Sequence, residues 1–368
     1  PAIYVDANNN HAASVSVSGS ETVVTGNITN QEASGKASIV VTGGKFLDGN
    51  GAANKDVKTY FPEGSSLKID EETGEVVTDD ESTVAEVGGV PYKSLQAAIE
   101  DAASKAAVKL RADVTESITI PGSKEIVLDL NGKKLVNSNE PQNNTVAEDN
   151  RKHTITNNGI LTIIDSAGNG QVDNVSHGRT ALYNEVGATA TLNGGTYTRS
   201  AETGSGADTS GGNSYYTILN HGTMTINDGV TVNQGADGNG KYSSLVENGW
   251  QNGKQNETEA ASVMTINGGE LSSYAQACVL NWNTAKITGG TFDGTGSSNG
   301  VVLNGYLNDT MDKGELTITG GEFRGKSIVE KMGGSDNSGK IQITDGICEV
   351  DTIATSLDDG TLEISGGI

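Results

Sequence analysis

The chain has 368 residues, with 47 acidic side chains against 24 basic ones for a formal charge of −23, hydrophobic residues at 34% and aromatics at 4%. So few large apolar side chains argue against a thick globular core, and an acidic excess spread along the whole chain argues against nucleic acid or an anionic membrane as partner. The 50 glycines, set against 5 prolines, point instead to short strands joined by tight turns, each burying a thin apolar strip.

In chain order, residues 1–80 hold one clear strand-and-turn unit, Val40-Val-Thr-Gly-Gly, followed by Lys58-Thr-Tyr-Phe-Pro-Glu-Gly and an acidic stretch from Asp70 to Asp80. This segment reads as terminal rungs of a preceding solenoid lobe plus a linker, with residues 81–368 as the main body. The pattern changes at Tyr92-Lys-Ser-Leu-Gln-Ala-Ala-Ile, where Leu95, Ala98, Ile99 and Ala102 fall at helical spacing. A helix near 93–105 is predicted, placed to cap the open apolar end of the solenoid that follows.

From there the chain repeats itself. Units start at Asp129, Thr162, Thr191, Thr225, Thr265, Lys286, Thr317, Gln342 and Glu363, and from Thr191 onward the starts step by 34, 40, 21, 31, 25 and 21 residues. The bare rung is therefore 21 residues, and longer steps carry inserts. The residue after each start is aliphatic throughout, from Leu130 and Ile163 to Ile343 and Ile364, and the residue before it is apolar in Met224, Met264, Leu316, Ile341 and Leu362. In-out-in alternation is the period of a strand.

A second inward column runs through Leu135, Tyr197, Leu271, Phe292, Phe323 and Cys348. A third ends in a column of asparagines, Asn184, Asn220, Asn248, Asn281 and Asn304. Like residues held in register at variable spacing, with inserts at the same corners, predict a right-handed parallel β-helix, an all-β solenoid. Cys278 and Cys348 fall two rungs apart in this alignment, which at ~4.8 Å per rung is beyond disulfide reach, so both read as reduced core residues.

The run Tyr92-Lys-Ser-Leu-Gln-Ala-Ala-Ile, then Lys109-Leu-Arg-Ala-Asp-Val-Thr-Glu-Ser-Ile-Thr-Ile-Pro and Leu128-Asp-Leu-Asn-Gly-Lys, resembles the opening of pectin-lyase-like β-helix modules from large repetitive surface proteins of Gram-positive bacteria. The later Thr-Ile-Thr-Gly-Gly-Glu-Phe units are similar to the rungs of such modules. The resemblance covers about three quarters of the chain and rests on turn and ladder residues. It implies a secreted, extracellular or cell-wall-associated setting and carries over no catalytic site. No apolar run reaches membrane-spanning length. The chain is expected to be a monomeric piece of something longer.

Chemistry is sparse. Glu247 and Glu330 share the column preceding the asparagines but are separated by apolar rungs, and Glu270 and Glu322 flank the rung of Thr291, which sets them ~10 Å apart by rung spacing alone. Asp48-Gly-Asn-Gly and Asp237-Gly-Asn-Gly read as turns without the later acid of a calcium loop. No metal or cofactor is expected.

One feature stands above the scaffold. His221, Trp250, Trp282 and Tyr306 all follow the asparagine column within two residues, on successive rungs. Stacking in register would bring them to one corner, where they either bind sugar rings or pack under the neighbouring inserts as a small core. The leading expectation is a non-enzymatic surface module, a stalk or adhesin-like segment contacting a glycan or a host surface protein through corner loops. The alternative is a polysaccharide lyase or glycoside hydrolase working in a cleft on one sheet face.

Overall fold

The computed structural model describes residues 2–6, 12–31, 37–140, 146–199, 215–233, 243–249, 261–274, 276–305, 314–332, 338–355, 357 and 360–366. The chain divides into two compact units, Pro1–Ala103 and Ser104–Ile368.

In the first unit three parallel pairs stack one turn of chain on the next: Ile3–Asp6 on Ile28–Gln31, Ala13–Val17 on Ala37–Val41, and Val23–Thr25 on Lys45–Leu47. Two antiparallel hairpins follow, Leu67–Ile69 with Val76–Thr78 and Ala85–Val87 with Val90–Tyr92. Val5, Val17, Ile39, Val41, Phe46, Val57 and Ile69 form its core.

The predicted helix forms over Leu95–Asp101, with the Ser94 side chain accepting the Ala97 N–H as N-cap and Leu95, Ala98 and Ile99 buried. It groups with the first unit, where it packs on the strands Ala85–Val87 and Val90–Tyr92. The capping role expected for it at the mouth of the solenoid is not evident in this packing.

The second unit is solenoid-like, and its strand pairings are parallel throughout. They run in three columns, each strand pairing with the third strand after it as far as Val302–Asn304, beyond which two long strands, Glu315–Lys331 and Lys340–Thr355, span the columns. The first column climbs from Ala106–Leu110 through Glu125–Asp129, Ile160–Ile164, Thr189–Leu192, Thr223–Ile226, Val263–Ile266 and Thr284–Ile287. The second includes Lys134–Val136, Gln171–Asn174, Gly195–Arg199, Val230–Asn233, Glu270–Ser272 and Thr291–Asp293. The third includes Ile155–Asn157, Leu182–Asn184, Ile218–Asn220, Val246–Asn248, Val279–Asn281 and Val302–Asn304.

Each column sends aliphatic or aromatic ladders inward. Ile163, Leu192, Ile226, Ile266 and Ile287 line the first, fully buried; Phe292 and Phe323 stack face to face in the second, with centroids 4.9 Å apart and planes within 6°. Burying each such side chain contributes about 1.5–3 kcal/mol, and the registered repeat adds that gain at every rung.

Two alignments change. Ile163 pairs with Leu128 rather than Leu130, so the Asp129 unit sits two residues out of the register read from its Asp-Leu-Asn-Gly motif. Aliphatic residues flank Asp129 on both sides, and alternation alone does not choose between them. Cys348 does take the phenylalanine slot beside Phe323, but the rungs of Phe292 and Phe323 both lie between it and the rung of Cys278, making the separation three steps rather than two. Both thiols are free.

The double glycines follow from stacking. A Cβ on Gly289 would lie 2.4 Å from the Asn267 carbonyl oxygen one rung back, and Gly290 turns the chain with φ at +101°. Beside these turns runs an exposed ladder in which Asn227 donates to Asn193 at 2.7 Å, Asn267 to Asn227 at 2.9 Å and Thr288 to Asn267 at 2.8 Å.

Candidate functional site

The asparagine column of the third sheet is internal. Asn157 donates its side-chain N–H to Asn184 at 2.7 Å, Asn184 to Asn220 at 2.8 Å, Asn220 to Asn248 at 2.7 Å, Asn248 to Asn281 at 2.7 Å and Asn281 to Asn304 at 2.6 Å. All six are fully buried, and each also donates to backbone carbonyls, as Asn248 does to Thr284. Every amide is thus spent on its own copy and on the turn that follows it, a structural use of the residue. Asn157 extends the predicted ladder by one rung.

On the same strands the intervening residue points outward, giving the column Tyr183, Leu219, Glu247, Leu280, Leu303 and Glu330. Around Leu280 and Leu303 this outer face is covered. Trp282 is only 2% exposed and packs with Ala277, Leu280 and Leu303, against Tyr216 and Met332 at the edge. Its indole N–H donates to Glu247 Oε1 at 3.0 Å. Of the two uses open to it, Trp282 takes the packing one, with no ring face left for a sugar. Trp250 and Tyr306 lie outside the described residues.

His221 is 3% exposed and engaged on both sides, its Nδ1 lying 3.0 Å from the Tyr183 hydroxyl while the ring also bonds the Gly249 backbone. Tyr183 is held between two imidazoles, with ring centroids 4.9 Å from His153 and 5.2 Å, edge-on, from His221. His153 Nδ1 accepts the Thr180 N–H at 2.9 Å, which places the proton of the neutral ring on Nε2.

These groups surround a cavity of about 230 Å³. Its floor is the outward column Tyr183, Leu219 and Glu247; its sides are His153 and Tyr215 on one flank and His221 and Gly249 on the other. Tyr215 is braced by Tyr216, 5.2 Å away between centroids, and by the Arg199 guanidinium 5.7 Å from its ring. Gly249 is required where it stands: its φ is +95°, and a Cβ there would fall 2.2 Å from Asn283 Oδ1.

The electrostatics of the cavity are uniform. Burial pushes the Glu247 carboxyl up to about 8, with the Trp282 indole and Tyr216 hydroxyl opposing the shift by bonding to it. Burial, helped by Arg179, Arg199 and His221, lowers His153 to about 3, and burial lowers His221 to about 4 against the Gly249 bond. Tyr215 and Tyr216 are both raised by burial and by Glu247. Burial thus favours the uncharged forms of Glu247, His153, His221 and Tyr215, inside a chain of formal charge −23.

Glu270 and Glu322 line a different feature, a groove of about 610 Å³ along the double-glycine turns that also holds Asp228 and Asp345. Register keeps Thr291 between the two glutamates, two rung steps or ~9.6 Å of backbone. Asp48 closes a turn by accepting the Asn50 and Ala52 N–H groups. Among the described residues no three His, Cys, Asp or Glu side chains gather as metal ligands would, and no helix is long and apolar enough to cross a membrane.

His153, Tyr215 and Tyr216 were not singled out as site residues from the sequence, although a signal exists. His153 stands four residues before Asn157 and Tyr216 four before Asn220, so the asparagine register already sets them on one edge of the sheet. Compared with family models, with curated proteins and with solved structures, the chain matches none.

Proposed function

We propose that this chain is a non-enzymatic structural module of an extracellular or cell-wall-associated surface protein, a stiff stalk or adhesin-like segment built as a right-handed β-helix. The observation that carries this reading is the buried amide ladder, continuous from Asn157 to Asn304. Its bonds run along the stacking direction, parallel to the backbone bonds between rungs, so separating two rungs breaks both sets together. Dispersed negative charge on such a stack favours solubility and opposes edge-to-edge association. A glycan or host surface protein would be met by side chains on the outer face, since the ladder itself is occupied.

The carboxylates support the non-enzymatic reading. Glu247 is bonded by Trp282 and Tyr216, and Glu270 and Glu322 are a full rung further apart than neighbours. Pulling the full chain from its two ends in a single-molecule instrument tests the stalk role. Force-bearing steps are expected, each releasing about 70 Å for a 21-residue rung at the extended length of a chain. Smooth extension without steps would remove the load-bearing reading, and release of sugar products from acidic polysaccharides would replace it with an enzymatic one.

A further inference from the structure

We propose that Asn193 and Asn267, in the exposed amide ladder beside the double-glycine turns, are sites of spontaneous deamidation that leave aspartate or isoaspartate in the stack. This does not depend on the chain serving as a stalk.

The reaction needs an asparagine whose amide meets water, a following residue with no side chain in the way, and a backbone nitrogen able to close on Cγ. Asn-Gly pairs recur along the described residues and all meet the second condition. Burial removes Asn248 and Asn304, and Asn131 and Asn299 are half-buried. Asn50, Asn158, Asn169, Asn193 and Asn267 are exposed.

The backbone decides among these five. The Gly51 N–H donates to the Asp48 carbonyl at 3.2 Å, the Gly159 N–H to Asn157 Oδ1 at 3.1 Å and the Gly170 N–H to Asp165 Oδ2 at 2.6 Å. Behind the less exposed asparagines, Gly132, Gly249, Gly300 and Gly305 are likewise committed, to Asp165, Asn220, Glu330 and Asn281. The N–H groups of Gly194 and Gly268 make no such bond to the described residues. Every other glycine must first surrender a hydrogen bond, whose typical net worth slows the step by about two- to tenfold.

The ladder also prepares the carbon under attack. Asn227 Nδ2 donates to Asn193 Oδ1 at 2.7 Å, and Thr288 Oγ1 donates to Asn267 Oδ1 at 2.8 Å. A donor there draws electron density from Cγ and meets the charge that gathers on the oxygen as nitrogen adds. Asn227 is followed by Asp228, whose side chain and charge hinder the same attack, so it acts as donor rather than as reactant.

In the first step the glycine nitrogen gives its proton to solvent and bonds to Cγ, while the Cγ–Nδ2 bond breaks and ammonia leaves. Water then opens the five-membered imide at either carbonyl, giving aspartate, or isoaspartate with one more methylene in the main chain. One water is consumed and one ammonia released, with no change of oxidation state, and each event adds a negative charge. At position 193 the new carboxylate still accepts the Asn227 N–H. At position 267 it stands opposite Asn227 Oδ1, acceptor against acceptor, and the 2.9 Å bond between them is lost. That bond also holds the leaving nitrogen of Asn267, whereas Asn193 Nδ2 makes none to the described residues, so Asn193 reacts first.

Incubating the full chain in warm, mildly alkaline buffer, then mapping its peptides by mass spectrometry with fragmentation that separates aspartate from isoaspartate, tests the proposal. A gain of one mass unit is expected at Asn193 first and Asn267 second, each at least about twofold faster than at Asn50, Asn158 and Asn169. In denaturant the five rates should converge, because the bonds that distinguish them are gone. Thr288→Val removes the donor on Asn267 and should slow that position by about two- to tenfold, with Asn193 unaffected as an internal control for the fold. Equal rates at the five exposed pairs in the folded chain would overturn the proposal, as would the same order persisting in denaturant or an unchanged rate at Asn267 in Thr288→Val.

Discussion

The two faces of the third strand column obey different rules although they belong to the same residues. Facing in, Leu182, Ile218, Val246, Val279 and Val302 and the asparagines two positions later repeat rung after rung, fully buried. Facing out, the residue between them changes from Tyr183 to Leu219 to Glu247 to Leu280. An inward side chain meets its own copy above and below, so the rung stack imposes sameness. An outward one meets whatever the flanking turns bring, and those differ in length from rung to rung. The chemistry of the molecule is therefore found where the repeat lapses.

Replacing Trp282 by Ala attacks the outer face at its most buried point, and a loss of about 3–5 kcal/mol in stability to denaturant is expected from the transfer and cavity costs together. A loss below about 1 kcal/mol would mean that the indole behaves as a surface residue. Asn220→Ala attacks the inner rule. It deprives Asn184 of an acceptor, Asn248 of a donor and Gly222 of its N–H partner, and should cost about 2–4 kcal/mol, with the melting transition losing sharpness as rungs on either side uncouple. If Asn220→Ala melts like the parent chain, the ladder is ornament to the backbone bonds and the contrast between the faces collapses.

The smallest effect near neutrality, and the most specific, belongs to Glu247→Gln. The folded protein holds the Glu247 proton up to about 8, whereas an ordinary glutamate releases it near 4.5, so folding binds a proton between those values and stability falls as pH rises through that window. His153 and His221 act in the opposite sense. Their folded values of about 3 and 4 lie under the ordinary 6.5, so the unfolded chain takes up protons first and stability falls as pH drops below 6.5. These three groups together place the stability maximum near pH 6.5. The glutamine keeps an acceptor for the Trp282 indole and carries no titrating proton; thermal melts across pH 5–9 should show the alkaline decline reduced in Glu247→Gln and the acid limb below pH 6.5 steeper, since the glutamate no longer offsets the two histidines there. A parallel displacement of both limbs would place the source of the alkaline decline elsewhere.

Much of the scaffold was legible beforehand because repetition is visible in a string of letters. Asn184, Asn220, Asn248, Asn281 and Asn304 were found by their spacing from an aliphatic residue two positions earlier, and Phe292, Phe323 and Cys348 by their distance from the glycine turn before them, Gly-Gly in the first two and Asp-Gly in the third. Asn157 escaped because a second asparagine follows it and a long insert precedes it. The site was less legible. His221 was marked by its place after the ladder, but His153 and Tyr215 are 62 positions apart and share no motif, and Trp282 gave no sign of whether it would face water or Glu247.

The sequence by itself determined the content of a rung, the side chains that face inward and the ladders they build, since these depend on contacts between copies of one short pattern. Only the tertiary structure decided the register at Leu128, the grouping of the helix with the first unit, and the cavity over Leu219. Those depend on contacts between unlike parts of different rungs, and on how far burial shifts a carboxyl and two imidazoles, neither of which is carried by any local run of residues.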